Sequence, residues 1–211
     1  MMGDFKVFSE NAKRYDEWYD DEHNYDRYIA ELAAIREMMP ACSRKLEIGV
    51  GSGRFAAPLG VEHGIDPVEE MLTLARARGI KTVKGVAENL PYDNSCFDYI
   101  LMTTTLCFID DIAAAFAEIK RVLVAKGTFT VAFVDKNSDI GQRYQQRVDS
   151  KFYSNAKFYA AEEVIALLKS SGFEVTTIMQ TLLCKRNKCH FDLRAGYGEG
   201  AFVVINSSID K

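Results

Sequence analysis

The residues best suited to chemistry lie in one stretch, Arg44-Lys-Leu-Glu-Ile-Gly-Val-Gly-Ser-Gly-Arg-Phe55, and at one acid further on, Asp66. Leu46, Ile48 and Val50 are apolar at period two, as in a buried strand, and Gly49, Gly51 and Gly53 follow where a helix should begin. Glycines gather in this way where backbone must bend sharply or approach a ligand closely. The free N–H groups of such a turn, and of the helix behind it, attract a carboxylate or phosphate. Asp66, at the end of the next strand, can accept hydrogen bonds from two vicinal ribose hydroxyls. Together they describe a site for a nucleoside with an anionic arm.

The elements that must position these residues alternate along the chain. Residues 9–39 read as helix, with Tyr28, Ile29, Leu32, Ile35 and Met39 near a 3.6 period before Pro40. A short helix over 54–59 and a strand over 61–65 follow the glycine turn. Asp66 as N-cap, Pro67 at N1 and Glu69 at N3 start the next helix, whose stripe is Val68, Met71, Leu72 and Ala75, so Asp66 also reads as a cap. Strands over 81–84, 97–102 and 128–134, helices over 111–122 and 161–170, and strands over 173–183 and 201–207 complete the pattern. Strand and helix taking turns predict an α/β, doubly wound sheet, with the ligand outside the carboxyl ends of its strands.

Two cofactor classes fit a glycine turn and an acid. Gly51-Ser-Gly53-Arg-Phe-Ala56 matches the dinucleotide fingerprint G-x-G-x-x-G/A, but its acid should lie about 20 residues further on, and Asp66 comes too soon. The fuller pattern Leu46-Glu47-Ile-Gly49-Val-Gly51-Ser-Gly53 resembles the first motif of class I S-adenosylmethionine-dependent methyltransferases. Gly64-Ile-Asp66-Pro-Val-Glu-Glu-Met71-Leu72 is similar to the second, and Gly85-Val-Ala87-Glu88-Asn-Leu-Pro91-Tyr to the third. Phe97-Asp98-Tyr99-Ile-Leu resembles the fourth strand, and Ile119-Lys-Arg121-Val-Leu-Val-Ala-Lys-Gly127 the stretch ahead of the fifth. Residues 11–19 resemble the aromatic segment with which small-molecule members cover the cofactor, and 196–205 their last strand.

The resemblance implies a Rossmann-like sheet of seven strands, with only the last antiparallel, and S-adenosyl-L-methionine as cofactor. It divides one domain into a helical N-terminal lid (1–40), a cofactor-binding core (41–135) and a substrate side with the C-terminal strands (136–211). It assigns Glu47, Gly49 and Gly51 to the methionine end and Asp66 to the ribose hydroxyls, with Gly53 and Pro67 also binding the cofactor. Ala87 and Glu88 then lie beside adenine with Met71 against its ring, Thr103 ends the fourth strand at the site, and Tyr15 and Tyr19 stand near the sulfonium. Two departures are Val86, where many members carry an acid, and the shortened helix after Gly53.

At 211 residues, 48% hydrophobic and 27% charged, the chain is long enough to bury a sizeable core. A net charge of -4 gives no electrostatic ground for duplex nucleic acid as a partner. Lys185-Arg-Asn-Lys188, the one compact basic run, reads as a solvated turn. With no signal-peptide core or span-length apolar stretch, no membrane is expected. Five cysteines, odd in number and irregularly spaced (Cys42, Cys96, Cys107, Cys184, Cys189), suit a reducing cytoplasm. Cys184-x4-Cys189-His190 lacks a paired C-x-x-C, so no metal is expected. His23, His63 and His190 each read more simply as structural or solvated, with His190 the preferred candidate should a catalytic base be needed.

The acceptor is bounded by absences. Met102-Thr-Thr-Thr-Leu-Cys107-Phe follows the fourth strand, in place of the Asn/Asp-Pro-Pro-Tyr or Pro-Cys motifs of DNA methyltransferases, which favours a small-molecule acceptor. Residues 140–159, with Tyr144, Phe152, Tyr153, Phe158 and Tyr159, fall where the family inserts substrate-recognition elements, although these rings equally suit a core. A nitrogen nucleophile, such as a small amine, and an oxygen nucleophile both remain open, the second needing its proton removed. A nicotinamide-dependent oxidoreductase and a non-catalytic S-adenosylmethionine-binding module are the alternatives. The aromatic run Phe5, Phe8, Tyr15, Trp18, Tyr19, Tyr25 and Tyr28 is either a lid or packed core.

Overall fold

The structure, a computed structural model, describes residues 5–146, 152–153, 156–185 and 188–210. Helices α1 (Lys6–Glu10) and α2 (Ala12–Glu17), a 3-10 turn (Trp18–Asp20) and α3 (Glu22–Met38) precede the sheet. Then come β1 (Lys45–Ile48), α4 (Ala56–Leu59), β2 (His63–Asp66), α5 (Glu69–Ala77), β3 (Lys81–Lys84) and β4 (Phe97–Thr103). A second 3-10 turn (Leu106–Phe108), α6 (Ile112–Val122), β5 (Leu123–Val134), α7 (Asp139–Gln146) and α8 (Ala161–Ser170) follow. The chain closes with β6 (Glu174–Thr181), β7 (Leu183–Lys185), β8 (Lys188–His190), β9 (Arg194–Ala195) and β10 (Phe202–Ser208).

The sheet order is β3-β2-β1-β4-β5-β10-β6-β9. The chain steps outward from β1 through β2 to β3, then returns to place β4 on the other side of β1, so the order reverses between β1 and β4. Side chains of β4 show why its sequence is a near-continuous apolar run. Ile100 and Met102 pack into one core cluster with Phe116, Ile119 and Val164, while Tyr99 and Leu101 pack into the other with Ile35, Leu72 and Phe202. Helices cover both faces, so alternation between apolar and polar residues disappears. Asp111 Oδ1 accepts the Ala114 N–H at 3.0 Å and starts α6, which turns Ala115, Phe116, Ile119 and Val122 inward.

Four expectations need correction. Among the described residues the sheet has eight strands rather than seven, because two-residue β9 pairs with β6 through Met179 and Gln180; β9 is antiparallel to its neighbour, as β10 is to both of its own. The expected strand over 173–183 is cut at Leu182, whose φ of 59° turns the chain into a separate β7–β8 hairpin. The single helix over 9–39 is broken at Asn11 and again at Asp21, where ψ of 130° leaves helical space. Asp66 is not the N-cap of α5, which is Val68; Asp66 instead ends β2 and accepts the Val68 N–H across a two-residue side-chain turn. No helix among the described residues is long and apolar enough to cross a membrane.

Candidate functional site

Strand β1 runs into a turn in which Gly49, Gly51 and Gly53 have φ of 70°, 51° and 81°, the left-handed region that favours glycine. The three serve different ends. A Cβ on Gly49 would stand 2.2 Å from Thr105 Oγ1, so the turn after β1 takes the Thr105 side chain against it only because it has none. A Cβ on Gly53 would press on Ala75 at 3.3 Å, which makes it a packing glycine beneath α5. A Cβ on Gly51 would meet nothing within 4 Å, because this residue faces open space.

That space is a cavity of about 320 Å³ beside the reversal of strand order. Asp66 forms part of its wall: Oδ2 accepts the Gly51 N–H at 2.9 Å and Oδ1 the Val68 N–H at 2.9 Å. Burial pushes its carboxyl up to about 6 against the pull of those N–H groups. A carboxylate has about four acceptor positions, so roughly two stay available to a pair of ligand hydroxyls. Ile65, Met71, Val86 and Ala87 supply an apolar slot suited to a flat ring, and Glu88, also in the wall, accepts the Asp110 and Asp111 N–H groups at 3.2 and 3.3 Å.

Nine residues singled out from the sequence stand together on this wall: Tyr15, Gly49, Gly51, Asp66, Pro67, Met71, Ala87, Glu88 and Thr103. Three do not. Gly53 packs under α5, and Tyr19 lies in the core, edge-on to Tyr28 and Phe55 at 5.2 and 5.9 Å. Glu47 is buried beneath the turn at 2% exposure; burial pushes its carboxyl up to about 8, against the pull of the neighbouring Thr103 hydroxyl, and its Oε2 has no hydrogen-bond partner. His190 is exposed on β8 and outside the wall, and His63 packs edge-on to Phe97. The side chains of His23, Cys184 and Cys189 and part of the basic run lie outside the described residues. Among the described residues no cluster of His, Cys, Asp and Glu could hold a metal ion.

Sequence reasoning missed Thr104, Thr105 and Phe108 on the β4 side, while Phe5 and Phe8, read as lid or core, line the cavity. Thr104 has φ of 51°, a strained setting for a β-branched residue, and its N–H donates to Ala132 O at 2.8 Å. A non-glycine residue predicted after the fourth strand carries no local sign of that conformation. Phe8 stacks edge-on with Tyr15 at 5.4 Å and Phe108 at 5.3 Å, which closes the cavity from the N-terminal side.

A clamp holds that cover. Asp16 is buried and accepts from Ser52 Oγ at 2.5 Å, Arg54 Nε at 2.9 Å and Arg78 Nη2 at 2.8 Å, which joins α2 to the glycine turn and to the end of α5. Burial works to raise the Asp16 carboxyl, but both arginines and Ser52 outweigh it and hold it below the usual range. Its contribution to stability is therefore present above the ordinary carboxylate range and lost as pH falls through the lower folded value. Asp16→Ala is expected to cost about 1 to 3 kcal/mol in urea unfolding at neutral pH, since it removes the buried carboxylate that two arginines share and leaves Arg54 with Asp20 and Arg78 with the Ser52 carbonyl. A loss below about 0.5 kcal/mol would show the clamp to be idle.

Comparison with known proteins adds to this geometry. The family described as "Methyltransferase domain" matches residues 46–131. A crystal structure from Thermotoga maritima, of an S-adenosylmethionine-dependent methyltransferase described as a possible histamine N-methyltransferase, superposes with a TM-score of 0.88. It is 39% identical, covering 97% of this chain and 99% of that one. An uncharacterised protein of Methanocaldococcus jannaschii is 38% identical over 203 residues, 95% of this chain and 98% of its own length. An uncharacterised protein of Mycobacterium tuberculosis is 36% identical over 207 residues, 95% of this chain and 73% of its own.

Proposed function

The chain belongs to the class I S-adenosylmethionine-dependent methyltransferases, and from that premise we propose that it methylates a small molecule through a nitrogen or oxygen nucleophile. Membership sets aside the nicotinamide alternative that residues 51–56 left open. The Thermotoga protein's description as a possible histamine N-methyltransferase supports a nitrogen acceptor.

The observation that carries the reading is the pairing of Gly51 with Asp66: a glycine open to the cavity, tied by its N–H to an acid that keeps acceptor positions spare. S-Adenosylmethionine, when bound, supplies a methyl group already activated on a sulfonium for in-line displacement. Gly49 and Gly51 would hold its methionine arm, Asp66 its ribose hydroxyls, and Ala87 with Met71 its adenine. The work left to the protein is alignment and exclusion of water. Phe5, Phe8 and Tyr15 would exclude water from above, anchored by the two buried residues that follow, Asp16 in its clamp and Tyr19 in the core.

Asp66→Ala is expected to weaken S-adenosylhomocysteine binding by about 1.5 to 3 kcal/mol through lost charge-assisted hydrogen bonds. Melting curves belong beside the calorimetry, because the change also removes the bonds to Gly51 and Val68, about 1 kcal/mol each. A folded variant of unchanged affinity would remove the ribose role and leave Asp66 as a tie between two turns.

A further inference from the structure

Three spaces adjoin in a row on the β4 side of the molecule. A second, smaller cavity of about 40 Å³ meets the first at Thr104, which lines both, and its other walls include Cys107, Tyr144, Tyr153, Phe158 and Tyr159. Phe158 and Tyr159 also line the third space, an open groove of about 460 Å³ along α8 whose polar residues include Lys136, Lys157 and Glu163.

Charge is unevenly placed along this row. Among the described residues no carboxylate or cation lines the middle cavity, and burial pushes the Cys107 thiol up to about 12, so it stays protonated. Behind one wall stands a cation: Arg27 Nη2 donates to Tyr144 Oη at 3.0 Å, and the guanidinium lies over that ring at 5.9 Å. At the groove end Lys157 is fixed to two other walls, since its N–H donates to Cys107 O at 2.8 Å and its ammonium lies 5.1 Å from the centre of the Tyr159 ring. Lys136 donates its N–H to Tyr159 O at 3.0 Å and its ammonium to Glu163 at 2.6 Å. That ammonium, helped by the Ala160 N–H, holds the Glu163 carboxyl below its usual range, so Glu163 is ionised and already paired. The Lys157 ammonium is exposed and has no hydrogen bond or ion pair with any described residue. Two lysines against one glutamate leave the groove with one positive charge in excess.

We propose that the methyl acceptor is a small carboxylic acid with an apolar body, and that Lys157 is the residue that recognises its carboxylate. The inference rests on the methyltransferase reading above. The nucleophile sits at Thr104, where the middle cavity meets the first, the body packs on Phe158 and Tyr159, which face both outer spaces, and the carboxylate lies in the groove on Lys157. One surplus positive charge matches a monoanion. An amine is disfavoured, because Arg27 and Lys157 already set cations against two of the rings that would receive it. In the reaction a lone pair on the acceptor's nitrogen or oxygen forms the bond to the methyl carbon while the C–S bond breaks. The C–S pair stays on sulfur, giving the uncharged thioether, and the surplus proton leaves to water.

The test titrates wild-type protein saturated with S-adenosylhomocysteine, by calorimetry, with three ligands of one shape: 3-phenylpropanoate, 3-phenylpropanamide and 3-phenylpropan-1-amine. The acid is expected to bind about fivefold more tightly than the amide, the effect of one exposed ion pair, and the amine more weakly than the amide. Lys157→Met keeps the apolar stem and removes the charge. It is expected to lower the acid to the affinity of the amide while S-adenosylhomocysteine and the amide bind as before, and Lys157→Arg to keep the preference. Added salt should weaken the acid in wild type and leave the amide alone. The side chain replaced is exposed and the bond to Cys107 is made by backbone, so the fold does not depend on it. An acid bound no more tightly than the amide, no acid binding at millimolar concentration, or an undiminished preference in Lys157→Met overturns the proposal while S-adenosylhomocysteine still binds. Failure of S-adenosylhomocysteine to bind wild type overturns the parent reading and this one with it.

Discussion

Gly51→Val is expected to lower S-adenosylhomocysteine affinity by at least about 100-fold, a loss near 3 kcal/mol, in a protein that still folds. The direction in which a side chain would grow is free of protein atoms to 4 Å, so valine's methyl groups enter the cavity and collide with the ligand rather than with the chain. The φ of 51° adds roughly 1 to 3 kcal/mol of backbone strain for a β-branched residue, which melting should register as lowered but cooperative unfolding. Gly49→Val is the contrasting control. Its Cβ would stand 2.2 Å from Thr105 Oγ1, so this change separates the ends of β1 and β4 and damages the fold itself. Normal binding by Gly51→Val would reduce the turn to a structural bend.

Glu47→Gln is expected to raise the stability of the ligand-free protein by about 3 kcal/mol at pH 8 and by little at pH 4. In the folded chain the carboxyl titrates near 8, burial having raised it from an ordinary value near 4.5. Between those values the folded state holds a proton that the unfolded state has released. Stability therefore falls as pH rises through this window, and it falls no further above about 8. Glu31 near 7 and Asp66 near 6 act in the same direction, so the ligand-free wild type should melt higher at pH 5 than at pH 8. Glutamine keeps the shape and removes the charge, and the wild-type penalty goes with it. Cofactor affinity should meanwhile drop about tenfold if Glu47 holds the methionine end, whose ammonium would give the carboxylate the partner that Oε2 lacks. A stabilised variant that binds poorly identifies an acid kept for function at a cost in stability. Equal melting of variant and wild type across this range would show that the carboxyl is satisfied without a ligand.

Much of the proposed cofactor site was legible in the sequence because its signals are local. Strand β1 alternates at period two, its glycines follow within a few residues, and Asp66 ends the next strand, so spacing alone suggested a nucleoside site. The loop Gly85 to Glu88, on the cavity wall, was legible only through resemblance, since nothing in its composition announces a binding wall.

Whatever required distant residues to meet was not legible. Tyr15 and Tyr19 are four residues apart and still pack edge-on at 5.9 Å, but only Tyr15 reaches the cavity wall, while Tyr19 is closed in by Tyr28 and Phe55. Asp16 meets Arg54 and Arg78, which lie 38 and 62 residues further along, so no window of sequence contains the clamp. Glu31 reads locally as one more solvated acid on a helix, and only the packing of α3 against the 3-10 turn at Trp18–Asp20 and against β6 and β10 buries it. The sequence by itself determined the order of strands and helices, the glycine turn and the acid opposite it, because these follow from periodicity and backbone sterics between near neighbours. Only the tertiary structure decided which glycine opens onto the cavity, which tyrosine lines it and which acid is left without a partner, because those depend on what long-range packing brings against each side chain and whether water is excluded there.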